Sequence, residues 1–127
     1  MTEGAPIRGR FSRVHRLRRD SDFQRVYGLR HRRESGPLLV YAAPGELPHP
    51  RLGLSVGRRV GGAVIRNRVK RRLRASFRRI RLELSEPFDY VVVVRPHKTT
   101  PEVDYEKHLR KAMERVSASW QEREPSS

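Results

Sequence analysis

The amino-acid sequence predicts an α+β fold: a single-domain α/β sandwich with its elements in the order α-β-β-α-β-α. Three observations lead there. A long stretch from Ala63 to about Leu84 carries Ile65, Val69, Leu73, Phe77, Ile80 and Leu84 at steps of three and four, the stripe of one helical face. Three short β-prone runs are parted by turn residues or by that helix, which is the pattern of helices packed on a small sheet. No repeat and no long linker interrupts the 127 residues, a length that suits one domain with a modest core.

The elements follow in order. Residues 1–13 hold Gly, Pro and Arg with few apolar groups and are expected to form a flexible basic tail ahead of a domain spanning 14–120. A first helix should start near Asp20 or Ser21, both good N-cap types, with Phe23, Val26 and Tyr27 on one face and Gly28 able to end it. Leu38–Ala43 reads as a strand after Pro37, and the prolines between Pro44 and Pro50 make a loop. Arg51–Val56 alternates, placing Leu52, Leu54 and Val56 on one face, and Gly57–Gly62 forms a basic turn. The long helix follows, stopped by Pro87. Phe88–Val94 is almost continuously apolar, as a central strand buried on both faces would be. A last helix runs from about Val103 to Trp120 with Tyr105, Leu109, Ala112, Met113, Val116 and Trp120 inward, and 121–127 is expected to be a disordered tail.

Charge narrows the function. Lys and Arg total 29 against 14 Asp and Glu, a formal net charge of +15, with only 35% hydrophobic residues. A compact chain so charged repels itself, and a polyanion partner offsets this because neutralised phosphates release their counterions. Nucleic acid is the first candidate and an acidic membrane surface the second. The cations are 25 Arg and 4 Lys. Arg grips phosphate with a planar fork of donors, although codon composition explains such a bias equally well. The absence of cysteine excludes disulfide scaffolds, thiolate metal sites and cysteine nucleophiles, and suits a reducing compartment. Residues 1–19 hold no signal-peptide run, and the longest apolar run, Tyr90–Val94, is far too short to span a membrane, so a cytoplasmic protein is expected.

The cations concentrate on the long helix. Arg66, Arg68, Lys70, Arg71, Arg72, Arg74, Arg78, Arg79 and Arg81 occupy one stretch, and no acid lies between Ala63 and Leu82. Eight of these nine fall outside the apolar stripe; Arg66 lies on its edge near the helix start. Like charges four residues apart, such as Lys70 with Arg74, each destabilise an isolated helix by some tenths of a kcal/mol. A solvated face normally mixes signs. A surface that docks on a phosphate backbone accounts for the pattern better, with Gly61 and Gly62 at the helix start where backbone donors and the dipole add an anion site.

A second set is aromatic. Phe23 and Tyr27 on the first helix and Tyr41 on the first strand offer faces on which unpaired bases stack. Phe23 serves a core equally well, whereas the hydroxyls of Tyr27 and Tyr41 suit a half-wet surface. The acids are scattered, with Asp20 and Asp22, Asp104 and Glu106 near helix starts and Asp89 in a strand, as caps and dipole partners are. No metal-binding His spacing, nucleophile triad or phosphate loop can be assembled, so no catalytic residue and no metal ligand is assigned.

Gly61-Gly62-Ala63-Val64-Ile65-Arg66-Asn67-Arg68-Val69-Lys70-Arg71-Arg72-Leu73-Arg74 strongly resembles the RNR motif of the bacterial ribonuclease P protein family. Arg51–Val56 is similar to the family's strand before that helix, Leu17–Tyr27 to its first helix, and Asp89–Arg95 to its third strand. The resemblance spans about Arg16 to Val116 in order, and four segments in register are far more specific than Arg-Asn-Arg alone. It implies a left-handed β-α-β crossover, like the second domain of a small-subunit ribosomal protein, against the usual right-handed rule. It implies that Arg66, Asn67, Arg68, Lys70, Arg71, Arg72 and Arg74 face a catalytic RNA, and that Phe23, Tyr27 and Tyr41 line a cleft for the single-stranded 5′ leader of precursor tRNA. It further implies that the RNA subunit cleaves the phosphodiester with magnesium, that the protein alone binds no cofactor, and that neither membrane nor DNA is a partner. Gly62 stands where the family commonly has Asn, at a cost to the N-cap of a few tenths of a kcal/mol. A structural RNA-binding protein, such as a ribosomal protein, explains charge and size as well, but neither the separate aromatic set nor the four-segment match.

Overall fold

Four strands build one mixed sheet in the order β1-β2-β4-β3. The computed structural model describes residues 15–84 and 86–123, with side chains as far as Gln121. The elements are α1 (Asp20–Gly28), β1 (Arg32–Ser35), β2 (Leu38–Pro44), β3 (Arg51–Val56), α2 (Ala63–Ile80), β4 (Phe88–Val94) and α3 (Tyr105–Arg123). The strand order differs from sequence order because β4 inserts between β2 and β3, antiparallel to the first and parallel to the second, with α2 as the crossover. The predicted flexible tail, 1–13, lies outside the described residues, as do 124–127. Residues 121–123, expected in the C-terminal tail, continue α3.

Period-two alternation explains the two cores. Leu38, Val40 and Ala42 of β2, Phe88, Tyr90, Val92 and Val94 of β4, and Leu52 and Val56 of β3 share one face. Against it lie Val69, Leu73, Phe77 and Ile80 of α2 and Tyr105, Leu109, Ala112, Met113 and Val116 of α3. Each buried Val, Leu, Ile, Phe or Met side chain contributes about 1.5–3 kcal/mol. The opposite face carries a smaller core: Ala43 and Val91 under Leu17 and Val26, with Phe23, Tyr27, Tyr41 and Val93 half-buried around it. As expected from its unbroken apolar run, β4 is the central strand, buried on both sides.

Three local expectations need correction. The strand β1 was absent from the predicted order, because Arg-Arg-Glu-Ser has no β-prone or alternating signal. It pairs with β2 through the two-residue turn Gly36–Pro37, where Gly36 supplies a φ of 56°. The first helix is capped by Arg19 without a side-chain hydrogen bond, while Asp20 and Asp22 sit in its first turn, where the dipole favours them. The long helix ends at Ile80 rather than near Leu84, tightening into a 3₁₀ turn at Arg81–Glu83 that satisfies its last carbonyls. The first helix does end at Gly28, as expected, and a left-handed residue follows at Arg30.

Arg30 adopts a φ of 60° and is exposed. An L side chain there costs on the order of 1–2 kcal/mol. Arg30→Gly relieves that strain but gives the unfolded chain more freedom. A net gain of about 0.5–1 kcal/mol is expected, read as a higher midpoint in urea with an unchanged slope; a lower midpoint would assign Arg30 a contact that offsets its strain. Among the described residues no helix is long and apolar enough to cross a membrane.

Candidate nucleic-acid interface

The helix α2 carries the densest positive charge, and its two flanks differ. Its inner face is fixed by Val69, Leu73, Phe77 and Ile80, so every cation except Arg66 is turned to the sides or outward. Gly62 is the N-cap with extended backbone, its carbonyl accepting from Arg66 N–H at 2.9 Å, and no side chain caps the turn. The free amide donors of that first turn therefore face outward beside Arg58 and Arg59, which are exposed. Arg66 is half-buried, with its Nε buried and without a hydrogen-bond partner among the described residues. Asn67, Arg68 and Arg71 are exposed, and Lys70 and Arg74 half-exposed.

Arg72 behaves differently from its neighbours. Its guanidinium donates to the carbonyls of Thr100 at 3.1 Å and Val103 at 2.6 Å, and lies 4.4 Å from the ring centre of Tyr105. Three of its attributes (planarity, fixed charge and a fork of donors) are engaged inside the protein, where they hold the β4–α3 loop against α2. Farther along the same flank, Arg79 pairs with Glu106 at 2.6 Å, and Arg110 of α3 pairs with Glu83 at 2.9 Å. The sequence shows no acid within the helix, but the fold brings two alongside it.

On the other face of the sheet, α1 covers only half. Cross-strand register sets Ala43, Asp89 and Arg51 in one rung, Tyr41, Val91 and Gly53 in the next, and Leu39, Val93 and Ser55 in the third. Phe23 packs over the middle rung. A Cβ on Gly53 would come within 2.7 Å of the Phe23 ring, so glycine is what lets the ring lie against the backbone. Tyr27 meets Tyr41 edge to face at 4.9 Å, and Phe23 meets Tyr27 at 6.3 Å. Burial raises the Tyr27 phenol above its ordinary value, partly offset by a hydrogen bond with Ser55. Beyond these rings Leu39, Val93 and Ser55 of the third rung are only half-buried, a partly open strip of sheet edged by the aromatic rings, where the family resemblance places its cleft.

The structure thus brings Phe23, Tyr27 and Tyr41 together, and it leaves Phe23 both in the small core and at the cleft wall. It adds a residue that the sequence did not single out. Arg32 stands opposite Tyr41 in the β1–β2 register, donates to its hydroxyl at 3.3 Å and lies 5.9 Å from the ring centre.

The first rung is held by a buried ion cluster. Asp89, 0% exposed, accepts from Arg51 Nε at 2.9 Å and Nη2 at 2.8 Å, and also from Arg25 of α1. Asp22 lies 3.8 Å from Arg51 and 3.7 Å from Arg25. The hydrogen bond to Asp89 raises the Arg51 guanidinium above its already high value. Asp89 and Asp22 are therefore anchors of α1 on the sheet rather than caps. Asp104 does cap, accepting from Lys107 N–H at 3.0 Å at the start of α3. Among the described residues, no three His, Asp or Glu side chains gather as a metal site would require.

Known proteins resemble this chain in sequence and in fold. The family model described as Ribonuclease P matches residues 11–117. The ribonuclease P protein component of Lactiplantibacillus plantarum is 37% identical over 84 residues, covering 65% of this chain and 73% of that protein. The Bacillus cereus component is 34% identical over 100 residues, covering 78% and 84%. The RNase P protein of Staphylococcus aureus superposes with a TM-score of 0.65 at 28% identity, over 83% of this chain and 94% of that one. The Thermotoga maritima RNase P protein gives a TM-score of 0.65 and 28% identity over 80% and 93%. A ribosomal protein is not favoured by these matches. With its mixed sheet, basic crossover helix and half-open aromatic face, and with a family match across most of its length, the chain belongs to the ribonuclease P protein family.

Proposed function

We propose that the chain binds the catalytic RNA of ribonuclease P through α2 and the 5′ leader of precursor tRNA through the cleft between α1 and the sheet. In this role it assists removal of the leader and formation of the mature tRNA 5′ end in the cytoplasm. The single observation that carries this reading is the pairing of two separate surfaces on one small sheet: an acid-free basic helix on one side, and an aromatic cleft on the other. Phosphate contacts position an RNA without reading it, whereas aromatic faces hold unpaired bases of any sequence. A helper that must accept many different leaders needs this combination.

The chemistry belongs to the RNA in this reading. Hydrolysis of the phosphodiester needs metal ions that activate water and steady the leaving oxygen, and magnesium asks for several carboxylates or phosphates around it. Among the described residues no three His, Asp or Glu side chains gather, and several carboxylates are engaged elsewhere: Asp22 and Asp89 with arginines, Asp104 at a helix start, Glu83 and Glu106 in ion pairs. Magnesium is then held by the RNA, and the protein lowers repulsion between RNA segments and between RNA and substrate.

Reconstitution tests the proposal. Added to a bacterial ribonuclease P RNA at low magnesium, the protein should restore 5′ maturation of precursor tRNA, and no restoration would end the assignment. Within the same system, replacing Arg66 and Arg68 together with Ala should make the salt dependence of RNA binding shallower by about two logarithmic units per unit, one for each cation removed. A slope equal to wild type would remove Arg66 and Arg68 from the docking surface.

A further inference from the structure

We infer that α2 lies against RNA along the flank that faces residues 15–19, where Arg74, Arg78 and Arg81 together with Arg16 form a phosphate-backbone site that extends the RNR contact toward the C-terminal end of the helix. This rests on the reading that α2 docks on RNA, and it names the side and the residues.

The two flanks separate by helical spacing. Arg68, Arg72 and Arg79 fall at steps of four and seven on the side of α3. Lys70, Arg74, Arg78 and Arg81 fall at steps of four, four and three on the other side. On the α3 side the fold supplies Glu106 to Arg79 and three backbone carbonyls to Arg72, and only Arg68, exposed at the N-terminal part of the helix and within the RNR contact, is left without such a partner among the described residues. On the other side, none of Lys70, Arg74, Arg78 and Arg81 has an ion pair or a side-chain hydrogen bond with any described residue. The N-terminal segment that runs beside it, held by Leu17 N–H on Leu52 O at 3.0 Å, adds cations rather than acids.

The consequences are visible in the groups themselves. Arg74 and Arg81 are each pulled below the ordinary arginine range, first by desolvation and then by Arg16 and Arg78 respectively. Burial and then the Arg81 charge push the His15 imidazole down as well, toward its neutral form. The Nε of Arg81 is buried and lacks a partner among the described residues. The same N-terminal segment also lines a groove of about 790 Å³ on the α1 side, with Arg16, Arg18, Arg19 and Arg51 around an Asp22 already engaged by Arg51, so Arg16 is the cation that links it to this flank. A protein that half-buries repelling guanidiniums in its free state is built for an anion that arrives from outside. From Lys70 to Arg78 the charges extend about 12 Å along the axis, a line of positive charge rather than a point. That shape fits consecutive phosphates of one RNA strand better than a single small anion.

The test compares variants of the full chain against a bacterial ribonuclease P RNA transcript across a potassium chloride series. R78A/R81A should weaken binding roughly tenfold at physiological salt and make the slope shallower by about two. R78K/R81K should keep the slope. R79A, whose charge is already met by Glu106, should change neither. Free R78A/R81A should melt at or above the wild-type temperature, since it loses repulsion and no internal bond. A wild-type slope for R78A/R81A beside a reduced one for R66A/R68A overturns this site while leaving helix docking intact. Wild-type slopes for both variants remove the docking too. Equal losses for R79A and R78A/R81A indicate a diffuse field and overturn the choice of flank. Wild-type protein that binds phosphatidylglycerol vesicles more tightly than the transcript at the same salt assigns the patch to a membrane and overturns it as well.

Discussion

Asp89→Asn is expected to lower the stability of the free protein by about 3 kcal/mol, more than any other single polar substitution in the described chain. The carboxylate is fully enclosed and receives two parallel bonds from Arg51, whose side chain is only 10% exposed, with a further bond from Arg25. The amide keeps the shape but removes the charge, leaving one guanidinium enclosed with Asp22 at 3.8 Å and the exposed Glu46 to answer it. Breaking one half of a buried pair is costly because the other half stays desolvated. Arg25, at 26% side-chain exposure, can turn toward water and so loses less. Urea denaturation checks this: the midpoint should fall with the slope unchanged. Replacing Arg51 by Met and Asp89 by Leu together should cost less than Asp89→Asn alone, since no charge is then stranded. A single-variant loss under 1 kcal/mol would mean that Asp22 or water satisfies Arg51.

Tyr41→Ala should weaken binding of precursor tRNA to the reconstituted complex by about 1–3 kcal/mol, roughly 5–150-fold, and leave mature tRNA unaffected. The ring stands at the cleft edge, braced by Tyr27 at 4.9 Å and covered on its other side by Arg32. Mature tRNA has no leader to lay on it. Tyr41→Phe keeps the face and loses only the hydroxyl bond from Arg32, so its effect should be small. Affinities for the two tRNAs, measured side by side, decide the matter. Equal losses on both would make Tyr41 a packing residue of the small core and nothing more.

Much of this was legible in the sequence because periodicity survives folding. The stripe from Ile65 to Ile80 and the run Phe88–Val94 became the inner face of α2 and the central strand, since each presents apolar groups at the period of its own backbone. What escaped depended on contacts between distant segments. Charged Arg32–Ser35 carries no strand signal of its own; its pairing is set by the Gly36–Pro37 turn. Counting back from that turn does put Arg32 opposite Tyr41, so the cleft's cation was recoverable from Ser-Gly-Pro. The partners of Asp89 were not, because Arg25, Arg51 and Asp89 meet only when α1 crosses the sheet. Nor could the sequence separate Arg72 from its neighbours. Its spacing is that of an exposed cation, and only the returning loop at Thr100–Val103 claims its donors.

The half-covered rungs of the sheet have a mechanical consequence. A nine-residue helix is too short to hold its own position, and α1 is pinned to the sheet by an enclosed carboxylate through Arg25, in its last turn and two residues from the Tyr27 that edges the cleft. Loosening that pin frees the same turn of helix that carries the Tyr27 ring. Substitutions that slacken Asp89 are therefore expected to blunt the distinction between tRNA with and without a leader before they unfold the chain, although that carboxylate is enclosed and reaches the cleft only through Arg25.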